Sequence, residues 1–362
     1  MEKLNTYQRW LAKEGLPIIK DYNVPDVMAV SLSPWPRKGG YGAYVSLVGS
    51  EEVTDCYLCE ISPGGSLQPQ KHLFEETIYI LSGRGATTIW ADGIAKQTFE
   101  WQEGSLFSPP LNTWHQHFNG QGDKPARYVA VTRAPVFMNL FHNLDFIFNN
   151  DYVFEDRYTG EAGFFGSQGK LLEASPTRSH ELWETNFIPD CRSFRLDADP
   201  RGGEAISSAF FELSNNIMAI HIALQPVGTY KKAHYHGAGA HLLCLSGQGY
   251  SLMWPSEGGI MAEGVPRIRV DWRKNTIFSP PERWFHQHFI TTSEPARMLA
   301  FHPEQSRKYE GIKRDVQAAK SVKLGGALIE YEDEDPAIRR LFKEELTKNG
   351  APWYMSKYFP GE

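Results

Sequence analysis

Eight of the twelve histidines fall into two groups of repeated spacing: His72, His115 and His117, then His234, His236, His241, His286 and His288. In an extended strand, residues i and i+2 share a face. His234 and His236 can therefore present two imidazoles to one side, with His286 arriving from a later strand. Three neutral imidazoles on one side of a divalent ion leave positions open for substrate or dioxygen, an arrangement suited to iron(II) oxygen chemistry. The earlier group has a different set at the equivalent places: Gln70, His72, Glu76 and His115. Positions 70, 72 and 76 share parity, and a carboxylate, two imidazoles and an amide oxygen can also hold a metal. His117 and His288 follow their ligand histidines by two and share the same face, as an acid/base group or a hydrogen-bond partner of the site would. His241 becomes a fourth ligand only if the loop through Gly237 and Gly239 bulges and turns it inward.

Side chains so far apart in sequence need a scaffold, and the chain carries that scaffold twice. FSPPLNTWHQHF (107–118) recurs as FSPPERWFHQHF (278–289) at an offset of 171. GGSLQPQKHLFEETIYILSGRG (64–85) lines up with VGTYKKAHYHGAGAHLLCLSGQG (227–249) at an offset of 164. Each copy reads as short strands, such as ETIYILSG, ATTIWAD, HLLCLSG and YSLMW, bounded by glycine turns and with prolines at strand ends. The fold class is therefore all-β dominated, with a sandwich or barrel in each half and few flanking helices. We expect an N-terminal helical arm over 1–44, a first domain over 45–137 and a connector with a helical part over 138–205. A second domain follows over 206–303, then a helical tail over 304–362. Trp114 and Phe285 are candidates to line an aromatic-substrate pocket. Arg127 and Arg297 are candidates to pair with a substrate carboxylate, with a structural salt bridge as the more economical account because both copies keep them.

The chain has 362 residues, 41% hydrophobic and 13% aromatic, enough apolar material for two cores. A formal charge of −6 argues against nucleic-acid partners and anionic membranes, which need basic surfaces. No apolar run reaches the roughly 18 residues of a membrane helix. The N-terminus is polar, without the apolar stretch of a signal peptide, which predicts a cytoplasmic protein. Cys56 and Cys59 form a C-x-x-C, but in a strand i and i+3 face opposite sides, so both are read as small buried residues.

The two copies resemble the cupin superfamily, and their pairing resembles the bicupins. The first cupin motif is G-x5-H-x-H-x3,4-E-x6-G. Gly64, Gln70, His72, Glu76 and Gly83 match it with glutamine at the first histidine. Gly228, His234, His236 and Gly247 match it with Ala240 at the glutamate. The second motif is carried by Pro110, His115 and Asn119, and again by Pro281 and His286, with Ile290 at the asparagine. This resemblance implies two tandem jelly-roll domains of the double-stranded β-helix type. The three-histidine set and the phrase P-P-x-x-x-W-H-x-H at Pro109 to His117 are similar to ring-cleaving dioxygenases of the gentisate 1,2-dioxygenase and salicylate dioxygenase type. That likeness implies a homo-oligomeric non-haem iron(II) dioxygenase acting with O2 on a hydroxylated aromatic or enol-type molecule, with His288 as base. The imidazoles would equally accept Mn(II), Zn(II), Ni(II) or Cu(II). One alternative is an oxygen-independent decarboxylase or isomerase using Mn(II) or Zn(II) at the Glu76 site, whose ligand types resemble oxalate-decarboxylase-like cupins and phosphomannose isomerases. Another is a non-enzymatic ligand-binding bicupin of the seed-globulin kind.

Overall fold

The computed structural model describes residues 3–50, 53–174, 180–196, 207–258, 266–303 and 320–360. Parts of the expected connector (175–179 and 197–205) and tail (304–319 and 361–362) therefore lie outside the described residues. Each repeat folds as a large sheet facing a three-stranded one. In the first repeat the small sheet runs Trp114–Asn119, Arg84–Ala91, Ile94–Gln102. In the second it runs Ile268–Arg273, Gln248–Pro255, Trp284–Ile290. Alternation along Trp114–Asn119 buries His115, His117 and Asn119 and leaves Trp114, Gln116 and Phe118 half-buried on the outer side. Gly83 and Gly247 turn the chain out of the motif strands at φ 92° and 80°. A Cβ there would come within 2.7 Å of Ala126 or Ala296, so only glycine fits.

The two large sheets pack face to face. Leu47, Leu58 and Val129 of the first repeat share one core with Phe211, Ile222 and Phe301 of the second. Cys56 lies in this layer and Cys59 in the interior of the first sandwich, on opposite faces of one strand and unbonded.

The regions expected as helical arm and connector also supply strands, and one strand from each is exchanged. Asn23–Val24 pairs with Ile277–Phe278 of the second repeat, while Phe187–Ile188 pairs with Leu106–Phe107 of the first. Around each, the same bonds recur. Thr276 Oγ1 donates to the Pro25 carbonyl and Ser105 Oγ to that of Pro189, both at 2.7 Å. Pro25 and Pro189 stand at the 164-residue offset of the first motif, so the repeat begins well upstream of its histidines.

Arg127 and Arg297 hold these arms. Arg127 pairs with Glu60 at 2.8 Å and donates to the carbonyls of Val27, Met28 and Val30. Arg297 donates to those of Cys191 and Phe194. Both share the face of the inter-sheet core residues Val129, Val131, Leu299 and Phe301, directed away from the sandwich interiors. These contacts agree with the more economical expectation, a structural role, and not with the candidate pairing to a substrate carboxylate.

Helix Thr6–Glu14 is closed at its start by a capping box between Asn5 and Gln8 and ends at left-handed Gly15. It buries Tyr7, Trp10 and Leu11, the i, i+3, i+4 face, against the first sandwich. Pro336–Asn349 and the residues after it cover the outer face of the second small sheet. No helix among the described residues is long and apolar enough to cross a membrane.

Candidate metal centres

The first sandwich brings together His72, Glu76 and His115. A backbone bridge between Gln70 and His115 sets His72 beside the small sheet, and Glu76 opens the strand Glu76–Ser82. Glu76 Oε2 lies 3.5 Å from His72 Nε2 and 3.4 Å from His115 Nε2. Each imidazole donates its Nδ1–H to a carbonyl, His72 to Phe74 at 2.8 Å and His115 to Thr113 at 3.2 Å. A carbonyl can only accept, so the proton sits on Nδ1 and both Nε2 lone pairs are free. Glu76 Oε2 and His115 Nε2 are buried without a hydrogen-bonding partner. Two imidazoles and a carboxylate about 3–4 Å apart match the donor spacing around one divalent ion.

Two residues that the motif does not contain complete this site. Tyr57 Oη donates to Glu76 Oε1, and Lys38 Nζ donates to Tyr57 Oη at 2.6 Å. Burial opposes the charge on Glu76, but the Lys38 ammonium overrides it and holds the carboxyl well below its ordinary range. Burial keeps the Tyr57 proton in place and lowers Lys38. Gln70 lines the same pocket as His72 and Glu76. Its carbonyl oxygen accepts from Arg37 at 3.4 Å, and its amide nitrogen is buried without a partner. Trp10, Arg37, Tyr57 and Phe74 are among the residues enclosing a pocket with about 10 Å³ of free volume, room for about one water. Arg37 lies 5.2 Å from the Trp10 and Trp35 ring centroids and pairs with Glu14 at 2.8 Å, which ties helix Thr6–Glu14 over the pocket.

The second sandwich brings together His234, His236 and His286, with ligand atoms within 4.8 Å of one another. Again each Nδ1 meets a carbonyl: Lys232 at 3.0 Å, Gly237 at 2.9 Å and Trp284 at 3.0 Å. All three Nε2 atoms are left to converge, and the set carries no carboxylate. Burial pushes His234 down to about 3 and His286 well below its ordinary value, so these rings are neutral at pH 7. His234 and His236 are half-buried, and this cluster is less enclosed than the first. Nearby, His221 and His302 stack at 4.9 Å, with His221 Nδ1 2.8 Å from His302 Nε2. The His302 ring lies 6.3 Å from that of His236.

The other expected site residues are placed as follows. His241 does not turn inward. Its neighbours Ala240 and Leu242 point into the second sandwich, so His241 faces the other way, 3.4 Å from Thr54 Oγ1 of the first repeat. The strand His241–Ser246 is regular there, and its parity decides. His117 and His288 lie inside the sandwiches in matching networks. Trp101 donates to Thr87 Oγ1, 2.8 Å from His117 Nδ1, and Trp272 donates to Ser251 Oγ, 2.7 Å from His288 Nδ1. Trp114 lies on the outer face, stacked on Trp90 at 6.1 Å with Lys71 above it. Phe285 packs outward against Trp254 and Tyr235 under the C-terminal tail. Both aromatics are therefore core or surface contacts rather than pocket lining. Sequence reasoning missed Lys38, Tyr57, Arg37, His221 and His302. The last two could have been found by carrying the repeat offsets one strand further, since His221 stands opposite Tyr57 and His302 opposite Thr132.

Residues 57–132, most of the first sandwich, match the family model described as Cupin domain (Cupin_2). No curated protein sequence matches the chain. Among solved structures it is similar to Bacillus subtilis oxalate decarboxylase, in a structure reported for that enzyme's Mn(II) centres. The TM-score is 0.50 and the identity 14%, covering 80% of this chain and 78% of that one. A serine-to-alanine mutant of the same enzyme gives the same TM-score, identity and coverage. At this identity the likeness shows a shared fold, two cupin sandwiches in tandem.

Proposed function

We propose that this chain is a metal-dependent bicupin enzyme that transforms a small carboxylic acid at His72, Glu76 and His115 without consuming dioxygen, as a decarboxylase or isomerase using Mn(II) or Zn(II). The observation that carries this reading is the buried Glu76 oxygen, unpartnered between two free Nε2 atoms and charged at neutral pH. A carboxylate among the ligands favours hard divalent ions, and the fold is shared with an enzyme that has Mn(II) centres. A divalent ion held there would supply Lewis acidity toward the substrate's oxygens. Arg37, on the pocket wall, offers a fork of donors for a substrate carboxylate. Tyr57, backed by Lys38, holds a proton at Glu76 Oε1, beside the place where a proton must be taken or returned. With about 10 Å³ free, substrate enters only when helix Thr6–Glu14 and the Glu14–Arg37 pair move aside.

A second reading rests on the other cluster. Three imidazoles with no carboxylate among them, two of them half-buried, suit an Fe(II) dioxygenase in which the substrate's own oxyanion supplies the missing negative charge. His288, 5.6 Å from His286 between ring centroids, is then the candidate base.

The two readings part in one experiment. Untagged protein is analysed for metal, then assayed under argon and in air against small carboxylic acids and against dihydroxy- and amino-hydroxybenzoates. The first reading expects turnover under argon that Glu76→Gln abolishes. Turnover only in air, lost in His236→Ala and kept in Glu76→Gln, would overturn it in favour of the second.

A further inference from the structure

Besides Glu76, two residues of the first pocket carry a polar atom that is buried without a partner: Gln70 at Nε2 and Tyr44 at Oη. Buried polar groups are nearly always bonded, so an orphan on a pocket wall calls for a ligand or a water. The orientation of the Gln70 amide follows from its neighbour. A guanidinium can only donate, so the atom 3.4 Å from Arg37 Nη1 is the amide oxygen, and the orphan is the NH2 group. With its oxygen so engaged, Gln70 offers the pocket N–H hydrogens and no lone pair for an ion. Burial holds the Tyr44 phenol well above its ordinary value, so that hydroxyl keeps its proton and can donate.

Arg37 stands beside both groups. The Trp10 and Trp35 rings that flank it at 5.2 Å also pack on Tyr44, at 5.8 and 5.5 Å. Tyr44 lies in strand Gly40–Leu47 and Gln70 is bridged to His115, so neither travels with helix Thr6–Glu14 when the pocket opens. The fold does not require the hydroxyl. Tyr44 pairs with Ile18 and Tyr57 as Phe210 pairs with Leu182 and His221, so the sister repeat has phenylalanine at this place.

We propose that Gln70 Nε2 and Tyr44 Oη, with Arg37, are the specificity-determining donors of the first site, and that Gln70 binds substrate rather than metal. Arg37 and the Gln70 amide can only donate to the group they hold. That group is therefore a carboxylate, and a carboxamide of the same shape is rejected because its N–H hydrogens meet other donors. The proposal deepens the reading of His72, Glu76 and His115 as a metal site, and depends on it only for the far end of the ligand.

Malonate is the probe and neutral malonamide the control, on full-length protein carrying His286→Ala to silence the second cluster. Calorimetric titration of the Mn(II)-equilibrated parent is expected to show binding of malonate and none of malonamide. Tyr44→Phe copies the sister repeat and is expected to fold, with malonate binding about fivefold weaker. Gln70→Leu is expected to weaken it roughly tenfold or more. Elemental analysis is expected to find the same Mn(II) content in the parent and both variants. Loss of Mn(II) in Gln70→Leu would make Gln70 a ligand and overturn the proposal. So would unchanged malonate affinity in both variants, the result if these groups hold only water. A parent without Mn(II) would instead overturn the metal reading. The donors would then stand if malonate still raised Tm in the parent and not in Tyr44→Phe, and fall otherwise.

Discussion

Within each sandwich the placement of one proton decides what an imidazole can do. His72, His115, His234, His236 and His286 all spend Nδ1 on a backbone carbonyl, which fixes the tautomer and aims Nε2 at its partners. Two independent centres follow, and we expect up to two divalent ions per chain. Elemental analysis after equilibration with Mn(II) is expected to fall by one ion per chain in His115→Ala, by one in His286→Ala, and to near zero in the double variant. Equal content in all three variants would remove both centres. The histidines were legible in the sequence because strand parity and the repeat both mark them. Gln70 was legible as a position, but its contact with Arg37 was not, since Arg37 comes from outside the motif. Lys38 and Tyr57 were invisible for the same reason.

The elements flanking the sandwiches are where sequence reading lost most. A strand of two residues, such as Asn23–Val24 or Phe187–Ile188, is too short to show alternation, so the exchange of arms left no pattern to find. The C-terminal helix was visible from Pro336 to Gly350, but not what it covers. Between it and the second small sheet lies Glu334, 5% exposed, accepting from Tyr230 and, at 3.3 Å, from Gln287. Burial pushes its carboxyl up to about 7 despite Arg339 and Arg267. The unfolded chain gives up this proton near 4.5, while the folded protein keeps it until about 7. The associated stability is therefore fully present below pH 4.5 and is lost as pH rises through 7, on the order of 3–4 kcal/mol at about 1.4 kcal/mol per unit. Glu334→Gln removes the titration. Urea unfolding of the metal-free protein is expected to show little difference between the two at pH 4 and a more stable variant at pH 8. A gap of constant size across that range would mean that Glu334 titrates normally.

At the scale of the whole chain, the two repeats are not two beads. Each sends a strand into the other's large sheet, each arm is held by a guanidinium from the repeat it belongs to, and the large sheets share one apolar layer. Removing one repeat would expose that layer together with two unpaired strand edges, each a row of unsatisfied backbone groups. Neither half can lose its fold while the other keeps its own, so the chain is expected to unfold as a single cooperative unit despite having two sandwiches. Phe301 tests this, because it is fully buried in the shared layer and belongs to the second repeat. Phe301→Ala removes a large side chain from a packed core, at a cost of about 3–5 kcal/mol. Calorimetry of the metal-free protein is expected to show one endotherm that shifts as a whole to lower temperature in the variant. A split endotherm, with one peak held at its original temperature, would mean that the first sandwich stands without the second. The exchanged strands would then be ornament on two independent domains.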